Sequence, residues 1–302
     1  MLRKLIPAGL LAVTAMASVV IDVQTAMSRG NFPLAEAILQ NYRSKSGVTP
    51  EFLEALSWVA RGDLITRQFD QADAHAKEVE QLAQQSLATR PLDGEPHLPT
   101  ALGAAIEVEA QVMTANGDRT GALALLRKNL AAYGNTSIRT RIQKNINLLT
   151  LEGRPAPALE EREYLGTKPT PLVALRGKPV LLFFWAHWCP DCKQEEPILA
   201  ALTREYSAKG LVLIAPTQHY GYVANGEEAG PADELKYIEQ IRHQYYADLL
   251  SVPAPLSEAN FRNYGASTTP TLVLIDRQGI VRLYHPGAMT LDELRAALNK
   301  VG

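Results

Sequence analysis

The sequence predicts two parts of different fold class: an all-α part of helical hairpins over residues 22–150, and an α/β part with a mixed sheet over residues 151–302. Three observations predict this division. The chain has 302 residues, which at about 150 residues per domain is the length of two domains, each able to bury its own core. Residues 22–150 show only helical periodicity. Beyond them, continuous apolar runs typical of buried strands alternate with helical patterns.

A short basic start and an apolar run open the chain. No charged residue lies between Leu5 and Ile21, and Ala15-Met16-Ala17 fits the small-x-small pattern of a signal-peptide cleavage site. The run of about 17 residues is near the lower limit for a membrane span, so residues 1–21 are predicted to be either a cleaved signal peptide or a retained anchor. Both place the protein outside the cytoplasm, in the periplasm or on the outer face of the membrane. The alternative is the first buried helix of a cytosolic domain.

The all-α part contains a helix start and a repeated motif. Thr49-Pro50-Glu51 has the residue types favoured at the cap, the first position and the first turn of a helix. The repeated motif is Phe32-x-x-Ala35-x-Ala37, Phe69-x-x-Ala72-x-Ala74 and Arg119-x-x-Ala122-x-Ala124. The pattern resembles tetratricopeptide repeats, whose period is about 34 residues. It implies either a concave surface for a protein partner or a helical cap that only covers the second part.

The α/β part follows a boundary that we place near Leu151, where proline- and glycine-containing stretches begin. Its predicted strands are residues 179–185, 211–215, 271–275 and 280–284, with a tight turn at Asp276–Gly279 before the last strand. Its predicted helices are residues 189–208, 232–246 and 291–300. Strands joined by crossover helices and ended by a hairpin form a mixed sheet.

The only two cysteines, Cys189 and Cys192, lie where a buried strand gives way to a helix. Pro190 suits the first helical turn, which needs no amide donor. Cys189 is then expected at an exposed helix tip, where free amides and the helix dipole favour a reactive thiolate. Cys192, one turn later on the same face, can attack a mixed disulfide at Cys189. The pair is therefore predicted to take part in a reaction and not to serve as a structural disulfide.

Asp191 between the two cysteines opposes this effect, because a nearby carboxylate disfavours a thiolate. We therefore expect a less acidic Cys189 than in a strongly oxidising enzyme, and a protein that acts as a reductant. Half of a zinc site is the structural alternative, but no second Cys or His pair has the required spacing.

From Gly153 onward the sequence resembles the TlpA/ResA-type thioredoxin-like proteins, extracytoplasmic members of the thioredoxin superfamily. The resemblance rests on Leu175-Arg-Gly-Lys-Pro-Val-Leu-Leu182, Phe184-Trp-Ala-His-Trp-Cys-Pro-Asp-Cys192 and Thr269-Pro270-Thr271. It implies a thioredoxin-like fold and dithiol–disulfide exchange with protein thiols. It also implies no metal or organic cofactor besides the Cys189–Cys192 pair, and electrons supplied by another thiol protein, such as a donor in the membrane.

The resemblance also implies roles for single residues. Cys189 attacks, Cys192 resolves, and Glu195 assists proton transfer to or from Cys192. The Thr269–Pro270 bond is cis, and this loop faces the cysteines. The residues expected to contact substrate are Trp188, Pro190, Thr269 and Pro270.

One departure from the family pattern and four neighbouring residues complete the expected site. Phe183 stands where classical thioredoxins have a buried aspartate, which leaves Glu195 as the candidate proton carrier. Trp185 is expected in the core, and His187 as an exposed loop histidine. His219 and Tyr220, which follow the second strand of the sheet, are interpreted as loop residues.

Two other functions stay open from the sequence. One is a peroxidase of the peroxiredoxin type, although peroxiredoxins usually have one peroxidatic cysteine in a Thr-x-x-Cys setting. The other is a binding or scaffold protein whose helical repeats recruit a partner while the cysteine pair senses redox state. The net charge of -2 gives no indication of nucleic acid as a partner.

Overall fold

The computed structural model describes residues 18–301. The predicted signal peptide or anchor lies outside the described residues up to Ala17, and within residues 18–301 no helix combines the length and apolar character needed to cross a membrane. Contacts divide the chain into two compact units, Met1–Ala105 and Ile106–Gly302. The boundary proposed near Leu151 falls within the second unit and stays a prediction.

Seven helices come first among the described residues: α1 (Val19–Ser28), α2 (Phe32–Ser46), α3 (Pro50–Ile65), α4 (Phe69–Leu87), α5 (His97–Ala115), α6 (Arg119–Tyr133) and α7 (Arg139–Thr150). The helix start predicted at Thr49 is confirmed, because its side chain accepts the Phe52 N–H at 3.1 Å and Pro50 is the first helical residue.

The repeated motif marks helix starts, since α2, α4 and α6 begin at its first residue. Its first alanines, Ala35, Ala72 and Ala122, are all fully buried. Each of these helices follows a tight turn whose middle residue has a left-handed backbone, with φ of 70° at Gly30, 63° at Arg67 and 87° at Gly117. The predicted helical hairpins are confirmed, whereas their assignment as tetratricopeptide repeats stays a prediction.

The same three turns share one hydrogen-bond pattern. The last turn residue donates its N–H to the carbonyl five residues earlier: Asn31 to Ala26, Gln68 to Asp63 and Asp118 to Met113. This pattern closes the preceding helix and starts the next one in the opposite direction. The faint sequence repeat therefore reports a real recurrence of local structure.

The mixed sheet predicted for the α/β part is confirmed. The strands are β1 (Tyr164–Leu165), β2 (Val180–Phe184), β3 (Val212–Ile214), β4 (Ala254–Pro255), β5 (Thr271–Ile275) and β6 (Val281–Pro286). The helices are α8 (Pro190–Tyr206), α9 (Pro231–Tyr245), α10 (Glu258–Tyr264) and α11 (Leu291–Asn299). Four strands form the main sheet in the order β3-β2-β5-β6, with β3 parallel and β5 antiparallel to β2. The sequence did not predict the short pair β1–β4 or helix α10.

Strands β2 and β5 lie at the centre of the sheet, and every one of their residues is buried. Leu181 and Phe183 point into a core that includes residues of α8, α9 and α11. Leu182 and Phe184 point into a second core, where Phe184 packs edge-on against Phe261 of α10. Burial on both faces explains why these strands read as continuous apolar runs.

Helix α7 packs closely against α10 in the second unit. Gly265, which ends α10 with φ of 62°, lies so close to α7 that an added Cβ would overlap the backbone of Gln143 and Lys144. The Asn147 side chain also donates to the Asn263 carbonyl at 3.3 Å. Glycine is thus required at position 265 both by its backbone conformation and by this approach.

Gly265→Ala is predicted to lower the free energy of unfolding by about 2–5 kcal/mol, about 1–2 for a left-handed alanine and the rest for overlap with α7. Gly153→Ala is the matched control, because Gly153 has φ of 79° but nothing within 4 Å of the added Cβ. Urea unfolding of both variants measures the difference. Equal losses in the two variants would contradict the close packing of α7 on α10.

Candidate active site

The segment after β2 is fixed to the chain that follows β3. The Trp185 N–H donates to the Pro216 carbonyl at 3.1 Å, and the Thr217 hydroxyl donates to the Trp185 carbonyl at 3.0 Å. The Trp185 ring is buried, as expected, and donates its Nε1–H to the Ala215 carbonyl at 3.0 Å. These bonds determine where the chain turns from β2 into α8.

The two cysteines occupy the start of α8 and form a disulfide, with their Cα atoms 5.3 Å apart. Cys189 is the N-cap residue, and its Sγ accepts the Cys192 N–H at 3.1 Å. Pro190 is the first helical residue, and Asp191 lies exposed in the first turn. The Cys189 sulfur therefore lies at a helix N-terminus, where free amides favour negative charge.

The expectation that Cys189 is exposed was wrong, since the residue is only 2% exposed. The Thr269–Pro270 bond is cis, as expected, and the loop that contains it lies against the pair, with the Thr269 carbonyl oxygen 3.4 Å from Cys189 Sγ. The oxidised sulfur has no proton to donate, so this distance becomes a hydrogen bond only when Cys189 is a thiol. Trp188 beside the pair is 46% exposed and presents the accessible surface.

Glu195 lies one turn after Cys192 on α8 and is buried, with 2% exposure. Burial raises the pKa of Glu195 to about 7, and the negative charge of Asp191 adds to this, although the Met289 N–H donates to Oε1 at 3.2 Å and opposes it. A carboxyl with this pKa changes protonation near neutral pH, which suits transfer of a proton.

His187 was expected to be an exposed loop residue, and this was wrong, because it is 1% exposed. Its ring lies edge-on to Tyr220, Tyr222 and Tyr237, with centroids 5.3 to 5.5 Å away. Its Nε2 is 3.3 Å from Glu234 Oε1, but neither ring nitrogen meets the geometry of a hydrogen bond. Burial lowers the pKa of His187 more than Glu234 raises it, which favours the neutral ring.

Glu234 on α9 is a site residue that the sequence did not indicate. Its carboxylate is 1% exposed and accepts the Tyr220 N–H at 2.5 Å and the Gly221 N–H at 3.0 Å. His219 and Tyr220 lie in the loop after β3, as interpreted, but the contacts of that loop reach Trp188. No spacing rule joins a helix glutamate to a cysteine pair on another helix, so only the folded chain identifies it.

The buried histidine and glutamate side chains near the cysteine pair are residue types that can bind a metal ion. Across residues 18–301, no three or more His, Cys, Asp or Glu side chains are grouped so that they could hold a metal ion.

Comparisons with known proteins identify relatives of about half of the chain. Residues 172–302 match the model of a thioredoxin-like domain. The thioredoxin-like protein YneN of Bacillus subtilis is 30% identical over 151 residues, which is 49% of this chain and 79% of that protein. The thiol:disulfide interchange protein DsbE of Pseudomonas fluorescens is 31% identical over 142 residues, 47% of this chain and 69% of that protein. The thiol-disulfide oxidoreductase ResA of Oceanobacillus iheyensis is 29% identical over 163 residues, which is 52% of this chain and 77% of that protein.

Among solved structures, the exposed lipoprotein thioredoxin Etrx1 of Streptococcus pneumoniae is similar over 48% of this chain and 99% of its own, at 24% identity and a TM-score of 0.38. A thioredoxin family protein of Chlorobium tepidum is similar over 49% of this chain and 94% of its own, at 19% identity and a TM-score of 0.38.

Glu195→Gln is predicted to change how stability depends on pH. Because the folded pKa of Glu195 lies above its ordinary value of 4.5, its contribution is fully present below pH 4.5 and is lost as pH rises through about 7. The glutamine variant does not lose this stability. Its free energy of unfolding relative to that of the wild type should therefore rise by on the order of 1–3 kcal/mol between pH 5 and pH 8. Chemical denaturation at both pH values measures it.

Glu205→Gln is the matched control, since Glu205 lies on the same helix but is exposed and pairs with Arg295. Its pH dependence should follow that of the wild type. If Glu195→Gln also follows the wild type, the buried carboxyl does not change protonation in this range.

Proposed function

Because the chain belongs to the thioredoxin-like family, we propose that its Cys189–Cys192 pair exchanges disulfides with protein thiols and acts as a reductant outside the cytoplasm. The observation that carries the proposal is the N-cap position of Cys189, whose Sγ accepts the Cys192 N–H at 3.1 Å. The same amide and the dipole of α8 stabilise a thiolate there once the pair is reduced.

Reduction of a substrate takes two displacement steps. The Cys189 thiolate attacks one sulfur of the substrate disulfide, a mixed disulfide forms, and the other substrate sulfur leaves as a thiolate. Cys192 then gives up its proton, attacks Cys189 Sγ and releases the second substrate thiol. The Cys189–Cys192 disulfide is formed and the substrate gains two electrons. A donor thiol protein then reduces the Cys189–Cys192 disulfide back to the dithiol, and a reductant in the membrane is a candidate for this donor.

Glu195 is proposed to take the Cys192 proton in the second step. It lies one helical turn from Cys192, and its pKa of about 7 lets the ionised form accept a proton near neutral pH. Phe183 in β2 is buried and has no ionisable group, so this central strand offers no carboxyl for the step.

The substrate chain is proposed to bind where Trp188, Pro190, Thr269 and Pro270 surround the pair. Trp188 is the exposed aromatic surface, and Pro190 begins the helix beside it. Thr269 is half-buried beside the pair, so part of its surface is open to a substrate chain. Asp191 keeps the thiolate less favoured than in strongly oxidising enzymes and so supports the reducing direction.

Export and partner binding complete the proposal. Cleavage after Ala17 would leave Ser18 at the new N-terminus, directly before α1, which begins at Val19. A retained anchor in place of cleavage would put the same chain on the outer face of the membrane, although Val19, Val20 and Ile21 of the predicted segment 1–21 belong to α1. The helical hairpins, with their recurring turns, are proposed to bind a protein partner in the manner of tetratricopeptide repeats.

Dithiothreitol-driven reduction of insulin disulfides tests the proposed reaction. Wild type is expected to turn over, while Cys189→Ser is expected to lose at least about 100-fold in rate because the attacking sulfur is gone. Cys192→Ser, which still has the attacking sulfur, should instead accumulate a mixed disulfide with the substrate, visible on a non-reducing gel.

Two outcomes would contradict the proposal. Turnover that survives in Cys189→Ser would remove the enzymatic role of the pair and favour a sensor or scaffold. Consumption of hydrogen peroxide that is faster than insulin reduction would favour a peroxidase of the peroxiredoxin type.

A further inference from the structure

We propose that Glu234 is a positioning residue of the redox site, which holds the loop after β3 so that Tyr220 supports Trp188 beside the cysteine pair. Its effect on substrate rests on the proposed function, whereas its effect on Trp188 does not. The proposal stands on three features of the structure: the burial of the carboxylate, the backbone groups that it binds, and the aromatic contacts that those groups carry.

The Glu234 carboxylate is almost fully buried and is used at both oxygens. Oε1 accepts the Tyr220 N–H at 2.5 Å, and Oε2 accepts the Gly221 N–H at 3.0 Å. His219 Nδ1 lies 3.2 Å from Oε2, and His187 Nε2 lies 3.3 Å from Oε1. A buried carboxylate is costly unless hydrogen-bond donors satisfy it, and here the two backbone N–H groups and the His219 ring are the groups within hydrogen-bond distance.

The bound backbone lies at the base of a closed loop. The Ala229 N–H donates to the Gly221 carbonyl at 3.0 Å, and Val223 donates to the Glu227 carbonyl at 2.8 Å. The Ala229 bond therefore closes the loop of residues 221–229 at Gly221, next to the backbone groups that Glu234 binds. Loss of the carboxylate would leave the Tyr220 and Gly221 amides without their acceptor and release the base of the loop.

The Tyr220 side chain links the backbone that Glu234 holds to the redox site. Its ring meets Trp188 edge-on with centroids 5.6 Å apart, and also meets His187 at 5.5 Å. It also lies edge-on to Phe261, with centroids 6.4 Å apart. Trp188 directly precedes Cys189 and is 46% exposed, so its open face depends on the support behind it. Glu234 thus acts on the docking surface and not on the sulfur atoms.

Glu234→Ala is therefore expected to affect protein substrates and to spare small ones. The KM for insulin in the coupled assay should rise about tenfold, with kcat changed less than about threefold. The rate at which dithiothreitol alone reduces the Cys189–Cys192 disulfide should stay within about twofold, because a small dithiol needs no docking surface. Glu234→Gln, which keeps one acceptor oxygen, should give a smaller rise in KM.

Asp233→Asn is the matched control, since Asp233 neighbours Glu234 on α9 but is exposed and forms an ion pair with Lys236. Its KM should equal that of the wild type. An unchanged KM in Glu234→Ala would overturn the proposal. So would a loss of insulin and dithiothreitol reactivity by the same factor, which would mean general damage to the site.

A Tyr220→Ala background tests whether Glu234 acts through Tyr220. If it does, adding Glu234→Ala to Tyr220→Ala should raise KM by less than a further twofold or so. The full tenfold rise in that background would overturn the pathway through Tyr220.

Acrylamide quenching of Trp188 fluorescence separates this inference from the proposed function. The chain has three tryptophans, so each variant is compared with its Trp188→Phe counterpart to isolate the Trp188 signal. Quenching should increase in Glu234→Ala and stay unchanged in Asp233→Asn. If the wild type fails to reduce insulin, the proposed function fails, while unchanged quenching in Glu234→Ala overturns the role of Glu234.

Discussion

The short connection from the end of β2 to the start of α8 determines the chemistry of this protein. Hydrogen bonds of Trp185 to the chain after β3 fix where the connection begins, and the cap at Cys189 fixes where it ends. Since Cys189 is the N-cap residue, its sulfur lies among the free amides of the helix and within bonding distance of Cys192 one turn later. The position of Cys189 also sets its contact with Thr269, the place of Trp188 directly before it, and the place of Glu195 on the helix that it caps.

Two buried carboxyls near the pair differ in their hydrogen-bond donors, and this gives them different capacities. Glu195 receives one backbone N–H, which does not offset its burial, so its pKa rises to about 7 and it can carry a proton. Glu234 receives two backbone N–H groups and lies beside two histidines, which suits a carboxylate that holds a loop in place. Similar burial thus accompanies the proposed proton transfer at Glu195 and the proposed positioning of the loop by Glu234.

The sequence predicts the features that depend on neighbouring residues. Continuous apolar runs predicted β2 and β5, and Thr49-Pro50 predicted the start of α3, because burial on both faces and capping are local patterns. The resemblance to TlpA/ResA-type proteins predicted the cis bond before Pro270. The two-residue strands β1 and β4 were missed because they are too short to show a period. His187 and Cys189 were expected to be exposed, but tyrosines of distant segments and the Thr269 loop cover them.

The reduction potential of the Cys189–Cys192 pair tests the central claim most directly. Equilibration with glutathione or dithiothreitol buffers, followed by alkylation of free thiols, gives the fraction reduced at each poise. A reversible two-electron transition near that of thioredoxin, roughly -270 mV, is the predicted result. A pair that does not interconvert, or one with a strongly oxidising potential near roughly -120 mV, would contradict the proposed role of this protein as a thiol reductant.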